Sequence, residues 1–281
     1  MTGSPIASGM TPVAQHKKPQ SVIPAKAGIQ KYWTMNTYKL IIAYDGTDYL
    51  GWQEQAEGAT IVGTLNKAFK TVFRHECTIS GASRTDAGVH ALGQVARLQT
   101  MLPLPAERLQ EALNNCLPGD IVIRSATLAA ADYNPLDNVL EKTYHYHVFT
   151  ERPLPMAQRY GWYYDYPLDI DKLSDCLQVF VGTHDFRSFC TGYDMKSTIR
   201  TINSISVSWN GSLGAYRITV RGPGFLRYMI RRIVGAGIEV ASRKNYSANT
   251  LKQALMRKDP HQLLPCAPAK GLTLHEIAYH L

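Results

Sequence analysis

Residues 81–95 read Gly81-Ala-Ser-Arg-Thr-Asp-Ala-Gly-Val-His90-Ala-Leu-Gly-Gln-Val95. Small residues surround a single carboxylate, Asp86, and Arg84 stands two positions before it, where its charge can keep that carboxylate ionised. Gly88 lets another segment of backbone approach closely. A loop between rigid elements is a frequent position for catalytic residues, so Asp86 is the leading candidate for chemistry. An ordinary turn with a surface Arg–Asp ion pair has the same composition and remains the alternative on these residues alone.

The chain on either side of this loop alternates between strand and helix patterns. Lys39–Tyr44 is a largely apolar run that Asp45-Gly46 ends, which predicts a strand. Apolar residues recur at helical spacing between Ile61 and Phe73, with Thr60 as the predicted N-cap. The other elements predicted in this half are a strand, a helix and a strand: Gln94–Leu98, Leu109–Cys116 and Ile121–Ile123.

The second half repeats this rhythm. Its predicted elements are the strand Tyr144–Phe149, the helix Leu173–Phe180, the strands Ile205–Trp209 and Tyr216–Val220, the helices Leu226–Ser242 and Asn249–Met256, and the strand His275–His280. Asn210-Gly211 predicts a hairpin, which favours a mixed or antiparallel sheet. Interleaved strands and helices of this kind indicate an α+β fold in two similar halves. We place the two halves at residues 35–138 and 139–281.

Residues 1–34 differ from the rest of the chain. They are rich in Pro, Ser, Thr, Gly, Ala and Gln, without sustained apolar periodicity. Such a segment buries too little apolar surface to offset its ordering entropy, so we expect a disordered extension. Met35 comes shortly before the first predicted strand and is a candidate for the true start of the folded protein.

Composition indicates which kind of partner the protein binds and in which cellular compartment it works. The 281 residues carry a net charge of +8, which favours a polyanionic partner but also fits an ordinary basic protein. No apolar run is long enough to span a membrane and no secretory signal is recognisable, so we expect a cytoplasmic protein. The five cysteines lack zinc-ligand spacing, and a reducing cytosol disfavours disulfides. We therefore expect neither a metal site nor a disulfide.

The loop is one of several distinctive motifs that follow one another along the chain. They are Tyr44-Asp-Gly-Thr-Asp-Tyr-Leu-Gly-Trp-Gln53, Arg84-Thr-Asp-Ala-Gly-Val-His-Ala91, Gly182-Thr-His-Asp-Phe186 with Ser188-Phe-Cys190, Phe225-Leu-Arg-Tyr-Met-Ile-Arg231 with Ile233-Val-Gly235, and Ala267-Pro268 with Gly271-Leu-Thr-Leu274. Each alone is a weak signal, but their order and spacing together are specific. From Met35 onwards, the chain resembles the tRNA pseudouridine synthase A family.

This resemblance implies the pseudouridine synthase fold, in which two ferredoxin-like subdomains share an extended mixed sheet with the active site in a central cleft. It implies isomerisation of uridine to pseudouridine at positions 38, 39 and 40 of the tRNA anticodon stem-loop. Asp86 would be the nucleophile, attacking either ribose C1′ or uracil C6, and this choice stays open. The resemblance further implies tRNA as the partner, a homodimer, and no cofactor, since the reaction is redox-neutral.

Three residues outside the loop match site positions of the family. Tyr144 would stack on the target base or help to remove the C5 proton, although Tyr146 lies on the same strand face and either ring could be buried core. Arg231 would pair with Asp86 or hold the substrate. Leu272 would pack near the target base, with an ordinary core position as the alternative.

Residues 210–258 form a strongly basic stretch whose only acid is Glu239. The predicted helix would bring Arg227 and Arg231 onto one face, one turn apart. We expect this stretch to contact tRNA phosphates, because phosphate neutralisation dominates affinity for nucleic acids. A solvated helix face is the alternative, but such a face normally mixes both signs of charge.

Two other functions compete with the synthase. A nucleoside or glycoside hydrolase usually needs two carboxylates around the bond that it breaks, whereas the loop offers only Asp86. A non-catalytic RNA-binding protein would explain the basic residues but not the Arg84–Asp86 loop. One departure from the family pattern stands out: Tyr133-Asn-Pro-Leu-Asp137 carries Leu136 where an arginine is typical. This leucine puts one RNA contact in doubt.

Deletion of residues 1–34 should leave the thermal midpoint and the activity unchanged, because the segment lacks the apolar periodicity needed for packing. Thermal unfolding and turnover of the shortened chain, beside the full chain, measure this. A clear fall in the thermal midpoint would show that the segment docks on the folded protein.

Overall fold

The computed structural model describes residues 35–191 and 197–280, so the expected disorder of residues 1–34 lies outside the described part. The strands of the described part are β1 Asn36–Tyr44, β2 Thr78–Gly81, β3 His90–Thr100, β4 Ile121–Ala129, β5 Val139–Phe149, β6 Trp162–Tyr163, β7 Gly182–Asp185, β8 Ile199–Ile202, β9 Ser204–Asn210, β10 Ala215–Gly222 and β11 Leu272–Tyr279. The helices there are α1 Ile61–Phe73, α2 Ala106–Asn114, α3 Ile170–Leu177, α4 Met229–Ser242 and α5 Ala248–Arg257.

Nine of these strands form one mixed sheet. Seven follow the order β4-β1-β3-β11-β5-β10-β9, while β2 is added to β3 and β6 to β5. Most neighbours are antiparallel, but β11 runs parallel to β3, with Thr273 opposite His90 and Leu274 opposite Ala91. The last strand of the chain therefore joins the strands of the first half to those of the second. The predicted α+β class with a mixed sheet is confirmed.

The apolar face of the sheet follows from strand alternation. Tyr38, Leu40 and Ile42 of β1 are fully buried, whereas Lys39 and Ile41 between them remain partly exposed. Leu65 and Phe69 of α1, Leu109 of α2 and Ile233 of α4 belong to the same hydrophobic core. The helices thus cover the face of the sheet to which these buried strand residues point.

Local signals placed the starts of α1 and β4 at the observed residues, whereas β1, β3 and β5 begin several residues before the predicted starts. Thr60 caps α1 as predicted, because its side chain accepts a hydrogen bond from the Gly63 N–H. The predicted hairpin is also present: Asn210 of β9 faces Ala215 of β10 across a short turn. The helix predicted through Cys116 ends earlier, at Asn114.

The start of the long helix was predicted wrongly. We predicted it from Leu226, but α4 begins at Met229, because Tyr228 adopts a left-handed conformation with φ of 61°. A helix cannot pass through such a residue. Arg227 therefore lies in the turn before α4 and not on its first turn. The prediction that Arg227 and Arg231 lie on one helical face is incorrect.

The described residues, 35–191 and 197–280, belong to one compact unit. The sheet crosses residue 138, so the division into halves at 35–138 and 139–281 stays a proposal. Within the described residues, no helix is both long and apolar enough to cross a membrane. The five cysteines are free thiols.

Candidate active site

The loop that connects β2 to β3 carries Asp86 and rests on the segment that follows β1. The Trp52 N–H donates to the Thr85 carbonyl oxygen at 3.1 Å, and the Gly88 N–H donates to the Tyr49 carbonyl oxygen at 3.1 Å. Gly51 has φ of +100°, and a Cβ there would lie 2.6 Å from the Thr85 carbonyl oxygen. The Tyr44–Gln53 motif therefore supports the backbone of the loop that carries Asp86.

Arg231 is the ion-pair partner of Asp86. The Arg231 Nη1 lies 3.4 Å from the Asp86 Oδ2, and the two side chains are only 15% and 16% exposed. Asp86 belongs to the first half of the chain, whereas Arg231 lies on α4 in the second half. The pair thus joins the two halves of the chain, and it is one of the two alternatives predicted for Arg231.

The guanidinium of Arg231 is held in place by Ala267. The Arg231 Nε donates to the Ala267 carbonyl oxygen at 2.9 Å, and the Ala267 N–H donates to the Arg231 carbonyl oxygen at 2.9 Å. Gly235 makes this approach possible, since a Cβ there would lie 2.3 Å from the Pro265 carbonyl oxygen. The Ala267-Pro268 motif therefore orients the arginine that faces Asp86.

The pKa of Asp86 reflects two opposing effects. Burial raises the pKa of the carboxyl above its ordinary value, and the positive charges of Arg231 and Arg227, with the hydrogen bond from Arg231, pull it back only in part. The loop therefore holds a carboxylate that is more basic than one in water. Such a carboxylate is a stronger nucleophile when it is ionised.

Tyr144 directly contacts the loop that carries Asp86. Its hydroxyl lies 2.7 Å from the Ser83 Oγ, and its ring meets the Phe225 ring edge-on at 5.4 Å. Burial raises the pKa of Tyr144 to about 12, against the hydrogen bond with Ser83 and with a further contribution from the negative charge of Asp86. Tyr146 is also buried, but its hydroxyl donates to the Pro268 carbonyl oxygen at 2.9 Å. The preference for Tyr144 over Tyr146 thus agrees with its position beside the loop.

The prediction for Arg84 needs a correction. Its side chain is exposed, and among the described residues the ion-pair partner of Asp86 is Arg231. Arg84 also does not contribute to the pKa of Asp86. Proximity in sequence therefore did not produce an ion pair.

Arg227 lies close to Arg231 although the two do not share the predicted helical face. Its guanidinium carbon lies 5.1 Å from the centre of the Tyr228 ring, and that of Arg231 lies 5.0 Å from the same ring. The positive charge of Arg227 also lowers the pKa of Asp86. The two arginines are therefore brought together by contacts with Tyr228.

Leu272 is the first residue of β11 and is buried opposite Tyr146. This position fits both alternatives, a core residue and a residue that packs near the target base. A role for Leu272 in substrate binding stays a prediction.

The basic stretch divides into separate surfaces. Val220 of β10 lies opposite Tyr144, so Arg217 and Arg221 point to the other face of the sheet. Arg221 pairs with Glu141 there. Beyond α4, the basic residues are exposed and include Arg243, which is paired with Glu239, as well as Lys244, Lys252 and Arg257. Residues that are near in sequence therefore do not form a single phosphate-binding surface.

Sequence reasoning missed several side chains that hold the loop. The His90 ring lies with Nδ1 3.0 Å from the Asp45 Oδ1 and Nε2 3.0 Å from the Arg159 carbonyl oxygen. The Lys142 ammonium donates to the Ala82 carbonyl oxygen at 2.6 Å, and burial lowers its pKa to about 8. Gln94 bonds the main chain of the loop. His90 and Gln94 lie within the quoted stretch 81–95, whereas Lys142 does not. The partners of His90 and Lys142 are distant in sequence, but Ser83 lies in the same stretch as Gln94.

The sequence of this chain is similar to those of known proteins. A family model described as tRNA pseudouridine synthase matches residues 40–134 and 177–280. The tRNA pseudouridine synthase A of Thermodesulfovibrio yellowstonii is 36% identical over 257 residues, which cover 87% of this chain and 100% of that protein. The tRNA pseudouridine synthase A 1 of Desulfotalea psychrophila is 38% identical over 253 residues, with the same coverage.

The chain belongs to the tRNA pseudouridine synthase family. It is therefore an isomerase that converts uridine to pseudouridine in tRNA, and its mixed sheet is that of the pseudouridine synthase fold. The matched stretches include Asp86, Arg231 and Leu272, while Tyr144 lies between them. Among residues 35–191 and 197–280, no cluster of three or more His, Cys, Asp or Glu side chains is arranged to hold a metal ion.

Replacing Gly51 by Ala should lower both the stability and the turnover of this synthase. The new Cβ would strain the backbone and press on the Thr85 carbonyl oxygen, and such strain costs about 1–3 kcal/mol. Thermal unfolding and single-turnover rates measure the two effects. Gly119→Ala is the matched control, because nothing lies within 4 Å of a Cβ at that position. Equal thermal midpoints of both variants would contradict the proposed support of the loop.

Replacing Arg231 by Gln should move the acidic limb of the pH–rate profile to higher pH. Removal of the positive charge lets the pKa of Asp86 rise further, so ionisation of the carboxylate requires a higher pH. Arg84→Gln is the control: whatever its effect on the rate, the limb should stay in place. Single-turnover rates across a pH series test this, and equal shifts in both variants would show that Arg84 also acts on the carboxylate.

Proposed function

We propose that this synthase forms pseudouridine at positions 38, 39 and 40 of the tRNA anticodon stem-loop, with Asp86 as the nucleophile. The observation that carries the proposal is the Asp86–Arg231 pair at 3.4 Å, whose two side chains are mostly but not fully buried. The same loop contacts Tyr144 through Ser83. A lone carboxylate with one cation and one aromatic hydroxyl nearby suits covalent catalysis on a nucleotide base.

In this mechanism the Asp86 carboxylate attacks ribose C1′ or uracil C6. The bond between C1′ and N1 breaks, the uracil turns, and a new bond forms between C1′ and C5. The C5 proton leaves, N1 gains a proton, and the carboxylate is released, so atoms and charges balance without an oxidant or energy source. Arg231 keeps Asp86 ionised before attack and stabilises the negative charge when the carboxylate is released.

In this proposal Tyr144 binds the uracil and does not act as a general base. Its raised pKa of about 12 keeps the phenol protonated near neutral pH. A protonated phenol can donate a hydrogen bond to the uracil, while the ring can stack on the flipped base. Arg227, which is exposed beside the site, is positioned to contact a phosphate of the target strand.

Affinity for tRNA is proposed to come from basic side chains outside the site. Lys244, Lys252 and Arg257 are exposed, and backbone contacts of this type set affinity without selecting the base. We also propose that the enzyme is a cytoplasmic homodimer in which one tRNA contacts both subunits, as the family resemblance implies. Light scattering of the free protein and of its tRNA complex measures this stoichiometry.

Replacing Asp86 by Asn should abolish pseudouridine formation and leave tRNA affinity nearly unchanged, because one carboxylate carries the covalent step and many phosphate contacts carry binding. Tritium release from C5-labelled uridine in unmodified tRNA measures the reaction. Substrates with cytidine at positions 38, 39 and 40 map the targets. Asp132→Asn, at an exposed position, is the matched control.

The same assay separates the competing functions. Free uracil as the product would indicate a hydrolase, and tRNA binding without tritium release would indicate a binding protein. Turnover of Asp86→Asn near that of the unmodified enzyme would contradict the role of Asp86. Activity that persists on the cytidine-substituted tRNA would contradict the proposed target positions alone.

A further inference from the structure

Gln94 of β3 is a fully buried carboxamide that lies beside the point where the loop with Asp86 leaves β2. Its Oε1 accepts a hydrogen bond from the Ser83 N–H at 3.2 Å, and its Nε2 donates to the Ser83 carbonyl oxygen at 2.6 Å. One side chain thus satisfies both main-chain polar groups of Ser83. A buried side chain that bonds both polar groups of one residue fixes that residue more firmly than a single contact does.

The strand register explains why a side chain is needed at this point. β2 pairs with β3 so that Gly81 faces Ala96, and the Ala82 N–H still donates to the Val95 carbonyl oxygen at 2.8 Å. A further rung of this ladder would place Ser83 opposite Gln94. The strand ends there, and the carboxamide of Gln94 makes the hydrogen bonds that a continuing ladder would make. The loop can therefore leave the sheet without unpaired buried main-chain groups.

Two series of hydrogen bonds connect the Gln94–Ser83 contact to Tyr144 and to the residue before Asp86. The hydroxyl of Ser83 lies 2.7 Å from that of Tyr144. The Gln94 Nε2 also lies 3.5 Å from the Tyr44 hydroxyl, which in turn is 2.8 Å from the Thr85 Oγ1. Thr85 directly precedes Asp86. Ser83 and Thr85, the residues on both sides of Arg84, are thus held by buried hydrogen bonds. The exposed side chain of Arg84 takes no part in these hydrogen bonds.

We propose that Gln94 is a positioning residue for pseudouridine formation: its carboxamide clamps Ser83 and thereby sets Tyr144 and Asp86 at their reacting distances. The inference rests on the proposed catalytic role of Asp86. Gln94 does not touch the substrate, because it is buried beneath the loop. Its loss should therefore lower the rate of the chemical step and leave tRNA binding intact.

Replacing Gln94 by Met keeps the size of the side chain and removes its hydrogen bonds. A displacement of the reacting groups by a fraction of an ångström to an ångström lowers the rate by about tenfold to a hundredfold. We expect this loss in the single-turnover rate at saturating tRNA, with the dissociation constant changed by less than about twofold. Gln99→Met is the matched control, since Gln99 lies on the same strand and bonds Thr37 away from the loop.

Replacing Gln94 by Glu gives a signature that a general loss of stability would not give. A protonated carboxyl group retains one donor and one acceptor, as the carboxamide does, whereas the ionised form has only acceptors facing the Ser83 carbonyl oxygen. The nearest titratable groups are Tyr44 and Tyr144, both of which stay neutral because burial raises their pKa, and the Lys142 ammonium on Ala82. The rate of Gln94→Glu relative to the unmodified enzyme should therefore fall as pH rises, while that of Gln94→Met stays flat.

Single-turnover rates below the thermal midpoint of every variant separate positioning from folding. If Gln94→Met does not fold, Tyr44→Phe tests the hydrogen bonds that run from Gln94 through Tyr44 to Thr85, since it removes only the Tyr44 hydroxyl. A rate within about twofold of the unmodified enzyme in folded Gln94→Met, or in Tyr44→Phe where it takes its place, would overturn the inference. Failure of the proposed function would give a different result. Either the unmodified enzyme would release no tritium, or Asp86→Asn would still release it.

Discussion

The short parallel pairing of β11 with β3 is the contact on which the site depends. Thr273 and Leu274 lie opposite His90 and Ala91, directly after the catalytic loop. This pairing places the end of the chain between strands of the first and second halves, because β11 also pairs with β5. Asp86 from one half can then meet Arg231 and Tyr144 from the other. Without this seam, each half would hold only part of the site.

Burial and charge oppose each other at Asp86, and the proposed mechanism uses both. A carboxylate in a mostly buried loop has a raised pKa, which makes it a better nucleophile but favours its protonated form. Arg231 offsets this effect, and Ala267 holds the arginine where it faces the carboxylate. The backbone beneath the loop is fixed by close packing against Gly51. Reactivity therefore depends on main-chain contacts as much as on the two charged groups.

The errors of sequence reasoning had specific causes. Apolar spacing extended the long helix back to Leu226, but the left-handed Tyr228 delays its start to Met229, and periodicity carries no information on a single dihedral angle. Arg84 was paired with Asp86 because they are neighbours in sequence, whereas the observed partner, Arg231, is 145 residues away. Gln94 was quoted as part of a motif without a role, since its partner Ser83 becomes visible only in the folded register.

The sequence by itself determined the α+β class, the N-cap of α1 at Thr60 and the family, because these depend on local hydrogen bonds, on period and on ordered motifs. It also selected Asp86, as the single acid in a loop of small residues. The tertiary structure alone decided between Arg84 and Arg231 as the partner of Asp86, and showed that Tyr144 contacts the loop and that Arg217 and Arg221 point away from it. These outcomes depend on strand register and on the β3–β11 pairing, which bring together residues that are distant in the chain.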